Sequence, residues 1–384
     1  MNHIYLDYAA TYPMQTCEPN SSHVLEFHGN PSSIHGAGDV SRDLVERARR
    51  QIAASLSIRS GYQVVFTSGG TESNNLALLG TFFAKNFAQP NIVIGAGEHA
   101  SILMPTRYLA KLGVEVRTYS ARCGVVDLTE IAALVDEHTI LISAMHTNNE
   151  TGAIHDVRSI FDTAKQRNPR IICHCDAVGG YMKSPISMAQ TGAHLLSISA
   201  HKIAPIHGTG ALIVANELLK SKRIVPLIHG GGQECGLRSG TENVAAIAQF
   251  GAAVNAMSSQ ILDNNAQLTM LKYHLMQSLP PSVQANIPDH HCPHIISLTL
   301  PKIRSEVMVN YLSSQGIYVA NGSACHSTKG GLAGRVSHAL LDFGLTPEQA
   351  DCTIRISLAP CVTTDMIDTF VAMLNEGIQK LVRK

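Results

Sequence analysis

The sequence predicts an α/β protein, a mostly parallel seven-stranded sheet followed by a small α+β unit, and three observations predict it. Between Gly61 and about Asn216, seven short apolar, β-branched runs alternate with longer stretches. Those longer stretches carry apolar residues at helical period. A Pro280-Pro281 breaker then separates this rhythm from a second set of runs.

In order, the runs lie at residues 63–66, 91–94, 114–117, 140–143, 171–174, 195–198 and 211–214. Helix-period stretches fill 72–86, 101–112, 128–137 and 159–168. This is the βαβα alternation of a parallel sheet covered on both faces. After Gly230-Gly231-Gly232, one long helical pattern runs from Asn243 to about Leu279. Beyond the prolines, 295–300, 317–320 and 354–358 read as strands, and 305–314 and 363–383 as helices. The expected division is a large unit at residues 21–255 and a small one at 256–384. Residues 1–20 are too short to fold alone and should pack on one of the two.

Composition narrows the function classes. The 384 residues hold 29 Lys plus Arg against 29 Asp plus Glu, with no basic run, so nothing favours nucleic acid or an anionic membrane surface. No window approaches the ~20 consecutive apolar residues of a membrane span, and no secretory leader is visible, so a cytoplasmic protein is expected. Nine cysteines, scattered from Cys17 to Cys361 without a CxxC pair, argue against a disulfide framework or a zinc ribbon. At least one of these thiols is then a candidate for chemistry.

Six stretches carry candidate chemistry. Thr67-Ser68-Gly69-Gly70-Thr71-Glu72-Ser73-Asn74-Asn75 joins a strand to a helix, where paired glycines, helix N–H groups and a Thr hydroxyl suit a phosphate. An ordinary capped turn fits that stretch equally well. His174-Cys175-Asp176-Ala177 and Ser199-Ala200-His201-Lys202 both follow strands, and so share the rim where α/β sheets bind ligands. A lysine for a Schiff base, an aspartate for a ring nitrogen and a phosphate cradle are the minimal kit for pyridoxal phosphate. His99, in Gly97-Glu98-His99-Ala100-Ser101, can lie flat on an aromatic ring and move protons near neutrality. Cys325 lies in a Gly-bracketed run of small residues beside His326 and Lys329, a setting for a low-pKa thiol. Arg355 stands in an apolar strand, where it needs an anion: a substrate carboxylate or an internal acid. A metal site at Cys173, His174 and Cys175 is disfavoured, because alternate strand residues face opposite ways.

Together these residues resemble the cysteine desulfurases of the NifS and IscS type, class V enzymes of the fold type I pyridoxal-phosphate group. The resemblance also draws on Tyr5-Leu6-Asp7-Tyr8-Ala9-Ala10-Thr11, Gly29 to His35, Asn148-Asn149-Glu150-Thr151-Gly152 and Arg238-Ser239-Gly240-Thr241, and it spans nearly the whole chain. It implies that Lys202 carries pyridoxal 5'-phosphate, that Asp176 pairs with the ring nitrogen and that His99 stacks on the ring. Gly70, Thr71, Ser199 and His201 would hold the phosphate, with Thr241 reaching in from the neighbouring subunit of a homodimer. Asn149 and Arg355 would grip the carboxylate of L-cysteine. Cys325 would take the sulfur as a persulfide on a swinging loop of the long type and hand it to an acceptor protein, leaving alanine. Iron–sulfur cluster assembly, tRNA thiolation and DNA phosphorothioation all draw on such a persulfide. Selenocysteine lyase, an aminotransferase and a sulfur-transfer scaffold without turnover are the rival readings.

Three positions depart from the family pattern. Gly179 stands where a glutamine usually meets the ring oxygen. Ala204-Pro205-Ile206-His207-Gly208 replaces a Gly-Pro-Lys-Gly pattern near the entrance. His326 replaces a Thr or Ala and would tune the Cys325 thiolate.

Overall fold

The computed structural model describes residues 3–13, 29–85, 87–322 and 336–381. The chain opens with β1 (Ile4–Tyr5) and α1 (Gly36–Ser55), whose N-cap His35 accepts from the Gly38 N–H. Ser41, Val45, Ala48 and Ile52 form its buried stripe at helical spacing. Then come β2 (Tyr62–Thr67), α2 (Gly70–Phe83), β3 (Asn91–Gly95), α3 (Ala100–Lys111) and β4 (Glu115–Tyr119). A hairpin of β5 (Ala121–Arg122) and β6 (Val125–Val126) leads to α4 (Leu128–Leu134), β7 (Thr139–Met145), α5 (Val157–Arg167) and β8 (Ile172–Asp176). After α6 (Met188–Thr191), β9 (Leu195–Ser199) and β10 (Gly210–Ala215) complete the main strands, followed by α7 (Asn216–Lys220).

The main sheet has seven strands in the order β2-β10-β9-β8-β7-β3-β4. All neighbours pair in parallel except β10, which runs antiparallel to both β2 and β9. The seven apolar runs of the sequence are these seven strands. Successive residues serve opposite faces: Cys173 and Cys175 enter the core beneath α1 and α5, while Ile172 joins the core beneath α2 and α3. His174 stays at mid-sheet, its ring between the hydroxyls of Ser143 at 2.9 Å and Ser197 at 3.0 Å.

The single helix expected from Asn243 to Leu279 is two, α8 (Val244–Ser258) and α9 (Ile261–Ser278). The reason is a change of partner. Val244, Ile247, Phe250 and Val254 of α8 pack into the large core, where the Gly251 backbone lies against Ala48 of α1. Leu268, Leu271 and Leu275 of α9 pack into a different core, and one straight rod cannot face both.

The second unit comprises β11 (Gln284–Asn286), β12 (Ile295–Thr299), α10 (Ser305–Ser314), β13 (Ile317–Tyr318), β14 (Ala320–Asn321), α11 (His338–Phe343), α12 (Pro347–Asp351), β15 (Thr353–Ser357) and α13 (Thr364–Leu381); β12, α10, β15 and α13 supply much of its core, while Leu340 of α11 and Ala350 of α12 form a separate small cluster with Val336. Its sheet is antiparallel, in the order β11-β12-β15-β14. Ile4, Leu6 and Tyr8 belong to the same core, with β1 pairing in parallel to β13. The opening segment therefore ties the small unit to whatever residues 7–12 touch. Among the described residues, no helix is long and apolar enough to cross a membrane.

Candidate active site

Parallel pairing sends the ends of β2, β3, β7, β8 and β9 to one rim, and the residues just past those ends line a cavity of about 270 Å³. Its wall includes Gly70, Thr71, His99, Asn149, Asp176, His201 and Lys202. A second cavity of about 320 Å³ shares His99, Asn149, His201 and Lys202 with the first and adds Asp7, Glu150, Gly322 and Arg355.

An anion cradle sits at one end. Gly69 caps α2 with φ 150°, a conformation that only glycine adopts readily, and the Ser73 N–H closes the first turn on the Gly69 carbonyl at 3.1 Å. The first N–H groups of the helix, those of Gly70, Thr71 and Glu72, point out of its start. A Cβ at Gly70 would lie 2.7 Å from Val178 Cγ2, so the backbone itself forms the wall. Ser199 stands beside it and bonds His201 Nδ1 at 2.7 Å. Burial first, then Lys202, His207, Lys183 and His99, push the His201 imidazole down to about 4, so it is neutral at pH 7. Glu72 in this turn also lines the cavity, accepting from the Ser68 N–H at 2.8 Å and pairing with Arg238 at 3.1 Å.

Asp176 ends β8 with its carboxylate fixed by two donors: Asn74 Nδ2 at 2.8 Å and the Val178 N–H at 3.0 Å. The same Asn74 nitrogen donates to Ser101 Oγ at 2.8 Å, and Ser101 Oγ lies 2.8 Å from His99 Nδ1. His99 caps α3 by accepting from the Ser101 N–H at 3.1 Å, which assigns Nδ1 as an acceptor and puts the ring proton on Nε2. Burial lowers the His99 pKa most, Asp176 opposes, and Lys202 and His338 lower it further. Glu98 is fully buried, its pKa raised by desolvation and by Asp176.

Lys202 follows β9 in a short turn, and its amine donates to the Ala9 carbonyl. Lys183 reaches the next carbonyl back, that of Tyr8, at 3.5 Å. Burial, then the Lys202 charge, then Arg355, bring Lys183 down to about 7, with Cys292 opposing. Arg355 bonds the Asn149 carbonyl at 2.8 Å and Asp7 Oδ1 at 2.7 Å.

The fold thus brings Lys202, Asp176, His99, Gly70, Thr71, Ser199, His201, Asn149 and Arg355 to two joined cavities. Thr241 is exposed and lines neither of them. Cys325 lies outside the described residues, three positions after Gly322 in the cavity wall. Sequence reasoning missed the roles of Asn74, Ser101, Lys183 and Asp7, although Asn74, Ser101 and Asp7 stand inside motifs it had singled out. Gly179 lines the first cavity, and a Cβ there would fall 2.5 Å from the Thr147 carbonyl oxygen. Among the described residues no cluster of His, Cys, Asp or Glu is arranged to hold a metal ion.

The comparisons agree with this geometry. Residues 4–370 match the family model described as aminotransferase class V. Cysteine desulfurase IscS of Dictyoglomus turgidum is 36% identical over 386 residues, covering 98% of this chain and 95% of that protein. Cysteine desulfurase IscS 1 of Archaeoglobus fulgidus is 33% identical over 383 residues, covering 98% and 97%. A solved NifS-like protein superposes with a TM-score of 0.89 at 30% identity, covering 99% of this chain and 100% of that one. This chain belongs to the class V aminotransferases and, within them, to the cysteine desulfurases.

Proposed function

We propose that the protein uses pyridoxal 5'-phosphate to convert L-cysteine to L-alanine and passes the sulfur, through a persulfide on Cys325, to an acceptor protein. One observation carries the cofactor reading: Lys202, Asp176 and the start of α2 converge on one cavity whose wall at Gly70 has no room for a side chain. The residues fit the group. Gly70, Thr71, Ser199 and His201 would hold the phosphate, Asp176 would keep the ring nitrogen protonated, His99 would cover the ring and Lys202 would hold the group by its amine. Bound there, the cofactor supplies an electron sink for the negative charge left at the substrate Cα.

The remaining work falls to the chain. Asn149 and Arg355 hold the α-carboxylate. The Lys202 amine would remove the Cα proton, and His99 would take the proton that the substrate thiol loses. The Cys325 thiolate attacks the substrate sulfur: an S–S bond forms, the C–S bond breaks, and its electron pair stays with the carbon skeleton. Reprotonation of that skeleton gives alanine.

A homodimer with Thr241 contributed by the partner is supported by Met104 and Tyr108, exposed apolar residues bordering the mouth beside Thr71 and His99. Action in the cytoplasm is supported by the described cysteines, all free thiols. We assign the cofactor unit to residues 21–255 and the small unit to 256–384.

The test is alanine release from L-cysteine by the cofactor-loaded protein, with and without a reductant, beside Lys202→Ala and Cys325→Ala. Alanine formation that needs both residues is expected. A Cys325→Ala protein that still transfers sulfur at the normal rate would remove Cys325 from the reaction.

A further inference from the structure

Arg355 is not an open receptor for a carboxylate. One terminal nitrogen, Nη1, donates to the Asn149 carbonyl at 2.8 Å, and the other, Nη2, donates to Asp7 Oδ1 at 2.7 Å. Nε is buried without a hydrogen-bond partner, a costly state for a charged donor. Asp7 is itself held firmly. It bridges to Ser357 of β15, two residues beyond Arg355, and its carbonyl accepts from the Tyr5 hydroxyl at 3.0 Å. The Ala9 N–H donates to Ser357 Oγ at 2.8 Å, tying the segment down on its other side. Asp7 and Arg355 line the same cavity as His99, Asn149 and Lys202.

An α-carboxylate entering this cavity meets a guanidinium whose charge is already partly offset and whose Nη1 and Nη2 each keep a second N–H beyond these two bonds. Substrate and product carry the same α-carboxylate, so a stronger grip would hold both alike and slow release without helping the chemical step. We propose that Asp7 is a positioning residue that sets how Arg355 receives the α-carboxylate. It pins the guanidinium by Nη2, leaves the second N–H groups of Nη1 and Nη2 for the incoming carboxylate, and by its own charge keeps the hold weak enough for product to leave. The inference rests on the reading that Arg355 takes the α-carboxylate.

The experiment uses the cofactor-loaded full chain and compares wild type, Asp7→Asn and Arg355→Gln. Three quantities are measured: KM and kcat for L-cysteine, the inhibition constant of L-alanine, and that of ethylamine, which is alanine without its carboxylate. Asp7→Asn keeps an acceptor for Nη2 and removes the charge. It should lower KM for L-cysteine and the inhibition constant of L-alanine roughly fivefold, the scale of one partly exposed charge pair. Ethylamine inhibition should not move, and the change should sit in KM rather than kcat. Asp7→Ser, also neutral, gives the same direction if Asp7→Asn does not accumulate folded. Should neutral residues at position 7 leave L-alanine inhibition unchanged while Arg355→Gln weakens it, the role of Asp7 is overturned and the Arg355 reading stands. Should Arg355→Gln also leave it unchanged, the Arg355 reading fails and this inference with it.

Discussion

A single nitrogen, Asn74 Nδ2, lies 2.8 Å from Asp176 Oδ2 and 2.8 Å from Ser101 Oγ, and so joins the carboxylate at the end of β8 to the imidazole that caps α3. Asn74→Ala removes both bonds and leaves the Asp176 side chain with the Val178 N–H. Losing hydrogen bonds to a buried charged group costs about 1.5–3 kcal/mol. Cofactor retention on dialysis should fall at least about tenfold, read by the visible absorbance of the protein. Retention equal to wild type would show that Asp176 holds its geometry unaided.

Gly69 gives a second prediction. At φ 150° a side chain is strained whatever space surrounds it, so Gly69→Ala should deform the start of α2 while α2 itself remains packed. The expected outcome is weakened binding of pyridoxal phosphate with far-UV circular dichroism unchanged. Cofactor titration checks it, and wild-type affinity would remove the cradle from that turn.

Lys183 predicts a pH dependence of stability. Its amine sits near 7 in the folded chain against an ordinary 10.5, so between those values the unfolded chain binds a proton that the folded chain does not. Stability contributed at this position therefore rises as pH climbs from 7 toward 10.5. Lys202, Arg355 and His294 face it as positive or potentially positive groups, and Cys292 is the one opposing partner. Melting temperatures at pH 7 and pH 9.5 should converge in Lys183→Met relative to wild type. An equal rise in both proteins would mean that Lys183 is charged throughout.

His99 predicts the acid limb of the rate profile. Burial holds its pKa below the usual histidine value and Asp176 alone pulls it back up, so kcat/KM should decline with acid only below the ordinary ~6.5. Asp176→Asn should move that limb lower still, on whatever activity remains. A limb that moves upward would assign it to another group.

Much of this was legible in the chain, and the unread parts have physical causes. The seven strands announced themselves because β-branched apolar runs have few other homes. Asp176 and Lys202 were legible because residues just past parallel strands share a rim. Helix α1 was not singled out: Ser41 and Ala48 carry half its buried stripe, and its other faces are dense with arginine and acid. The break between α8 and α9 falls at Ser259-Gln260, with no proline or glycine to mark it, and is imposed by two separate cores. Asn74 and Asp7 act across 102 and 348 residues of chain, and no local pattern reports such partners.

The contact between position 179 and Thr147 also bears on what this wall of the cavity can accept. With the Thr147 carbonyl oxygen 2.5 Å from where a Cβ would stand, any side chain at position 179 forces that backbone to shift. Gly180 packs on the same threonine, its own would-be Cβ 2.4 Å from Thr147 Oγ1, so the neighbouring site is as tight. A side chain at either position therefore displaces Thr147 before it can add a group to this wall of the cavity.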